Sequence, residues 1–156
     1  AGLIDETGCI NEDCGEFSRY VVEADDEPAV LLGESGVMLT QKDVRQVQLA
    51  KSAICAGIRS LLQEAGKKAG DLNELLLAGG FGSFINCEKA GRIGLIPQEL
   101  VEKARAVGNA AGMGAIFELL SLSGRRESQK IVSESKLLEL SSSPYFMEQY
   151  VECMMF

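Results

Sequence analysis

The 156-residue chain has no histidine and no tryptophan, only three prolines, and 6% aromatic residues. Without imidazole there is no Ser-His-Asp or Cys-His nucleophile system, no histidine general base, and no zinc site that needs a histidine ligand. Nor does any uninterrupted apolar run reach the roughly 18 residues that a membrane-spanning helix requires. A membrane is therefore not an expected partner. The chain is 46% hydrophobic and 24% charged. That is enough apolar material to separate it from disordered sequences and to predict one soluble domain, residues 1–156, with a real core.

Positive charge is also scarce. The formal charge of -8 argues against nucleic acid, because phosphate binding rests on a basic surface. The acidity is local: residues 1–34 hold ten of the 23 acids and a single base, Arg19. The rest of the chain is nearly balanced and could hold an anionic ligand without opposing it electrostatically.

The five cysteines, Cys9, Cys14, Cys55, Cys87 and Cys153, are odd in number and irregular in spacing. No signal-like segment opens the sequence. Free thiols and a cytoplasmic setting are expected. Cys9 and Cys14 have the C-x4-C spacing that begins a plant-type iron-sulfur motif, but the following C-x2-C step is missing, so two loop thiols are the simpler reading. The opening Ala-Gly-Leu-Ile-Asp reads like the interior of a longer protein.

Residues 1–40 show short β-prone stretches, Phe17 to Val22, Ala29 to Leu32 and Val37 to Leu39, separated by Gly, Asp, Pro and Ser, the pattern of hairpins or a meander. At Thr40 the period changes. Thr40 to Asp43 reads as a capping box opening a long amphipathic helix with Val44, Val47, Ala50, Ile54, Ile58, Leu61, Leu62 and Ala65 on its apolar face. Gly66 is placed to end it in the left-handed conformation, with Lys67 and Lys68 at the negative end of the helix dipole. Residues 41–156 then alternate as an α/β body. Glu74 to Ala78 is expected to be a buried parallel strand, followed by helices from Asn86 to Arg92, Pro97 to Ala106 and Asn109 to about Ser121. Arg125 to Ser135 reads as helix, Lys136 to Leu140 as a possible strand, and Pro144 to Cys153 as a last helix whose apolar end packs on the core. Asp43 and Asp71 read as caps, and Arg125 and Arg126 as solvated bases.

Two glycine segments could carry function. Gly79, Gly80 and Gly82 follow the expected buried strand, where a ligand can approach bare backbone. The segment has neither the G-x-G-x-x-G spacing nor a Walker-type ending, and a ligand-binding loop and a purely structural tight turn fit it equally. In Val107 to Ala115, Gly108, Gly112 and Gly114 alternate with Ala110, Ala111 and Ala115. Glycine costs about 1 kcal/mol per interior helix position, so a close backbone approach must offset it, either at a hinge between domains or in tight internal packing.

The stretches Leu39 to Lys51, Leu76 to Ser83, Ile93 to Pro97 and Val107 to Ala111, in that order and spacing, resemble the corrinoid-activating ATPases, relatives of the sugar kinases, actin and the heat-shock chaperone ATPases. The resemblance covers essentially all 156 residues as the C-terminal portion of such proteins. It implies a ribonuclease-H-like lobe, a mixed sheet flanked by helices, that forms half of a two-lobed ATP-binding cleft. Ala78, Gly79, Gly80, Gly82 and Ser83 would then form the adenosine side, and Gly108, Ala111, Gly112 and Ala115 an interlobe hinge. The implied parent uses ATP with Mg2+ and a [2Fe-2S] cluster in an N-terminal domain to reduce Co(II) to Co(I) in a corrinoid protein. Its further partners would be its own N-terminal lobe and, as an option, a second copy in a homodimer. The sequence departs from that arrangement by lacking a complete ferredoxin motif, recognisable phosphate-binding segments and a carboxylate cluster for Mg2+. The isolated chain is not expected to hydrolyse ATP. A related kinase, a radical-dehydratase activator or a noncatalytic docking module using the acidic N-terminal segment and the apolar end are the alternatives that the same residues leave open.

Overall fold

The computed structural model describes residues 2–80 and 82–156. A 3-10 helix at Gly15–Tyr20 leads into an antiparallel meander of β1 (Val21–Ala24), β2 (Glu27–Leu31) and β3 (Met38–Thr40), in spatial order β1-β2-β3. The expected first strand therefore begins later, because Phe17 lies in the 3-10 helix. Asp25 and Asp26 make the β1–β2 turn, and both have positive φ, 55° and 61°. Such a turn matches the twist of the strands but strains any residue other than glycine.

Helix α1 (Gln41–Glu64) opens on the expected capping box, with the Thr40 hydroxyl accepting from the Asp43 amide and the Asp43 carboxylate accepting from the Thr40 amide. Those bonds hold the Asp43 carboxyl below its ordinary range. The helix ends on Gly66 at φ 61°, with Lys67 N–H donating to Leu62 and Gly66 N–H to Gln63, the Schellman pattern.

The buried face of α1 matches the expected apolar one only in part: Val44 is buried and Ile58 and Leu62 pack half-buried against the core. Val44, Gln48, Lys51, Ser52, Cys55, Ala56 and Ser60 are buried, whereas Val47, Ala50, Ile54, Leu61 and Ala65 are exposed. The polar face is buried because backbone carbonyls meet it. Gln48 Nε2 donates to the carbonyls of Thr7 and Met154, and Lys51 Nζ donates to those of Cys153 at 2.8 Å and Met155. The Lys51 ammonium also lies 4.5 Å from the centre of the Phe156 ring. Burial pushes its pKa below the ordinary lysine value.

Beyond α1, β4 (Leu75–Ala78) pairs in parallel with β5 (Ala104–Gly108), with α2 (Cys87–Arg92) and a 3-10 helix (Gln98–Lys103) between them. The expected helix from Pro97 to Ala106 is thus corrected. Its good helix formers give one short 3-10 segment, and from Ala104 onward pairing with β4 overrides local propensity. The expectation of a buried strand is also corrected: β4 is parallel, but Leu76 is 50% exposed. Only one strand pairs with β4 among the described residues, and Leu76 and Ala78 on its second face are exposed.

Helices α3 (Ala110–Leu120) and α4 (Leu122–Glu134) pack on each other, and α5 (Pro144–Glu152) packs on α1. Lys136 to Leu140 forms no strand, which corrects that expectation; it crosses as extended chain, with Leu140 touching Gly57. The expectation that the apolar end packs inward is corrected: Cys153 is buried and Met154 half-buried, but Val151, Met155 and Phe156 are exposed.

Two clusters form the core. Ile10, Val30 and Val44 join the meander to the start of α1. Ala90, Ile96 and Leu100, packed with Ile58, Leu62, Leu75 and Leu77, join its second half to β4, α2 and the following 3-10 helix.

Candidate functional site

The parallel pair brings the two glycine segments together. Parallel strands place both carboxyl ends on one side, where α/β folds bind ligands. The Gly79 N–H donates to the Gly108 carbonyl at 2.7 Å. The sequence separates these residues by two expected helices, and only strand β5 makes them neighbours. The register shifts at this end, Ala106 facing Leu77 but Gly108 facing Ala78. Val107 is therefore an extra residue, a bulge of the kind that ends regular pairing. An ion pair at the opposite end, Arg105 with Glu74 at 2.9 and 3.1 Å, holds the carboxyl of Glu74 low.

The glycines differ in what the fold asks of them. Gly79 has φ 94° and Gly108 φ 68°, backbone that favours glycine regardless of space. Gly82 is buried, and a Cβ there would come within 3.1 Å of the Ala78 carbonyl oxygen. It lets the turn close over the end of β4. Ser83 returns its N–H and its hydroxyl to the Gly79 carbonyl, at 3.2 and 3.0 Å. Gly80 is different: its φ is not positive, it is exposed, and a Cβ would meet none of the described residues within 4 Å. The fold itself gives no reason for glycine there. Phe81 of the same motif lies outside the described residues. Ala78 and Gly82 also border an apolar groove of about 270 Å³ shared with Ile54, Ile58 and Leu76.

Directly after Gly108, Asn109 caps α3, its side-chain oxygen accepting from Gly112 N–H at 3.0 Å. Gly112 is needed against this cap, since a Cβ would lie 2.6 Å from the Asn109 amide nitrogen. Ala111 and Ala115 are exposed, and Gly114 has nothing within 4 Å among the described residues. The small-residue face of α3 therefore does not pack against another backbone within the described structure. Asn109, strand β5 and the bulge are the features that sequence reasoning missed. Asn109 bears an ordinary N-cap signature, and Ala104 to Val107 followed by glycine repeats the strand-then-glycine pattern of Leu75 to Gly79.

Among the described residues, no group of three or more His, Cys, Asp or Glu side chains is arranged to hold a metal ion, and no helix is long and apolar enough to cross a membrane.

Helices with antiparallel and parallel strands, and two glycine turns at the carboxyl ends of a parallel pair, define a ribonuclease-H-like α/β domain of the ASKHA class. More narrowly, the family described as the C-terminal domain of RACo, the ASKHA domain, matches residues 1–156, and the chain belongs to it. The chain is similar to the corrinoid activation enzyme RamQ of Eubacterium limosum, 41% identical over 120 residues, which is 77% of this chain and 20% of that protein. It is also similar to a solved reductive activator for corrinoid, iron-sulfur protein, with 29% identity and a TM-score of 0.83 over 99% of this chain and 26% of that one. The chain thus spans only about a fifth to a quarter of the proteins it resembles.

Proposed function

We propose that this domain supplies the adenosine side of a nucleotide cleft in an ATP-dependent reductive activator of a corrinoid protein. The observation that carries the reading is Gly80. It sits at the carboxyl end of a parallel strand beside Gly79 and Gly108, and neither its backbone conformation nor its neighbours demand a glycine. An approaching base or ribose would demand one. The backbone at Gly79 and Gly108 is equally open among the described residues, so the end of the β4–β5 pair fits such a group.

In this reading Ala78, Gly79, Gly80, Gly82 and Ser83 hold the adenosine. Asn109 keeps the first turn of α3 in place next to it, and Gly108, Ala111, Gly112 and Ala115 form the face on which the N-terminal lobe closes. Bound ATP with Mg2+ supplies the free energy for an uphill electron transfer. In the whole protein a [2Fe-2S] centre outside this chain would supply the low-potential electron that takes corrinoid Co(II) to Co(I). This chain's own part is to bind and orient the nucleoside.

Titration of the chain with AMP, ADP and ATP, with and without Mg2+, followed by amide resonances, tests this. Shifts should centre on Gly79 to Ser83 and Gly108 to Gly112, appear with AMP, and depend little on Mg2+. Gly80→Val should abolish them while leaving the thermal transition within about 0.5 kcal/mol of wild type, the usual range for an exposed substitution. Unmoved amides in both the isolated chain and the full-length parent would refute the assignment.

A further inference from the structure

Lys51, Cys55 and Arg59 follow one another at four-residue steps along one face of α1, and each meets the end of α5. Lys51 Nζ donates to the Cys153 carbonyl at 2.8 Å, and Arg59 Nη1 donates to Gln149 Oε1 at 2.7 Å and lies 3.5 Å from Glu152. One turn before Cys55 and one turn after it, α5 is therefore anchored. Between the anchors the Cys55 thiol is set against the thiol of Cys153. Both are free and buried, and both line a cavity of about 220 Å³ together with Lys51, Arg59, Gly94 and Gln98. A water molecule takes about 30 Å³, so a small peroxide fits.

We propose that Cys55 and Cys153 form a redox-active thiol pair that a hydroperoxide closes into a disulfide, tying the end of α5 to the middle of α1. One sulfur, as thiolate, attacks the near peroxide oxygen. The O–O bond breaks, the departing oxygen takes a proton and leaves as water or an alcohol, and a sulfenic acid remains. The second sulfur attacks the first, the S–S bond forms, the S–O bond breaks, and water leaves with the remaining proton. Two thiols are oxidised by two electrons, and with hydrogen peroxide the products are one disulfide and two waters.

Burial pushes the Cys55 thiol up to about 12, against the pull of Arg59 and Lys51. Reaction proceeds through the thiolate, so closure is slow at neutral pH and accelerates with alkalinity well beyond the range in which an ordinary thiol has finished ionising.

The test is hydrogen peroxide treatment of the chain bearing Cys9→Ser, Cys14→Ser and Cys87→Ser, then alkylation in denaturant and intact-mass and peptide analysis. The expected product has lost two hydrogens, takes up no alkylating agent, gives a linked Cys55–Cys153 peptide, and regains two alkylatable thiols with dithiothreitol. Its rate should rise from pH 8 to pH 10 as the thiolate fraction grows. The wild-type chain should yield the same linked peptide, so the result does not depend on the variant folding. Two alkylatable thiols after prolonged treatment, sulfinic or sulfonic acid at either site, or links only between molecules would overturn the proposal.

Discussion

Replacing Lys51 with methionine tests how the C-terminal end of the chain is held to α1. The side chain is 1% exposed, and its ammonium satisfies the carbonyls of Cys153 and Met155. Met fills much of the same volume but donates nothing. Each buried carbonyl left without a donor costs about 1–3 kcal/mol, so two give about 2–6 kcal/mol. Relief from burying a cation offsets part of this. The expected net loss is about 2–4 kcal/mol, still large against a total domain stability of about 5–15 kcal/mol. Urea denaturation followed by circular dichroism should show a lower midpoint with an unchanged slope, because the same surface is exposed on unfolding. Stability of Lys51→Met within about 0.5 kcal/mol of wild type, the range of an uninvolved surface site, would refute the reasoning.

The Cys55 thiol gives a pH dependence of definite sign. Its pKa rises from about 9 when unfolded to about 12 when folded, so its contribution is complete below pH 9 and is lost as pH climbs toward 12. The three-unit difference corresponds to about 4 kcal/mol at most. Cys55→Ala should flatten that decline in denaturation midpoints measured from pH 8 to 11, whereas Lys51, shifted the other way, adds a rise as pH approaches its ordinary value. Asp26→Gly should raise stability by about 0.5–1 kcal/mol in thermal melts, because the hairpin turn holds this residue at φ 61°; no gain would mean the turn is not of this type. Gly8→Ala should cost about 2–4 kcal/mol by the same assay. Gly8 has φ 84°, and a Cβ would lie 2.3 Å from the Gln48 amide, which is itself held by two carbonyls.

The local devices were legible in the sequence. Thr40 with Asp43, Gly66 and the cap at Asp71 act within a few residues of chain, so short-range geometry dictates them. The motif resemblance carried the family and the fold class, and it marked both glycine segments. Strand β5 was not legible. Gln98 to Ala106 is rich in helix formers, and only the distant partner β4 makes its second half extended. The same pairing decides that Gly79 and Gly108 touch, a contact between residues far apart in sequence. Hydrophobic periodicity identified only part of the buried side of α1, Val44, Ile58 and Leu62. Periodicity assumes that apolar residues go inside. Here Gln48 and Lys51 go inside because carbonyls from distant segments accept their hydrogen bonds, Thr7 and Met154 from Gln48 and Cys153 and Met155 from Lys51. Short-range capping signals determine where α1 starts and stops; which face it buries depends on what the rest of the chain brings to it.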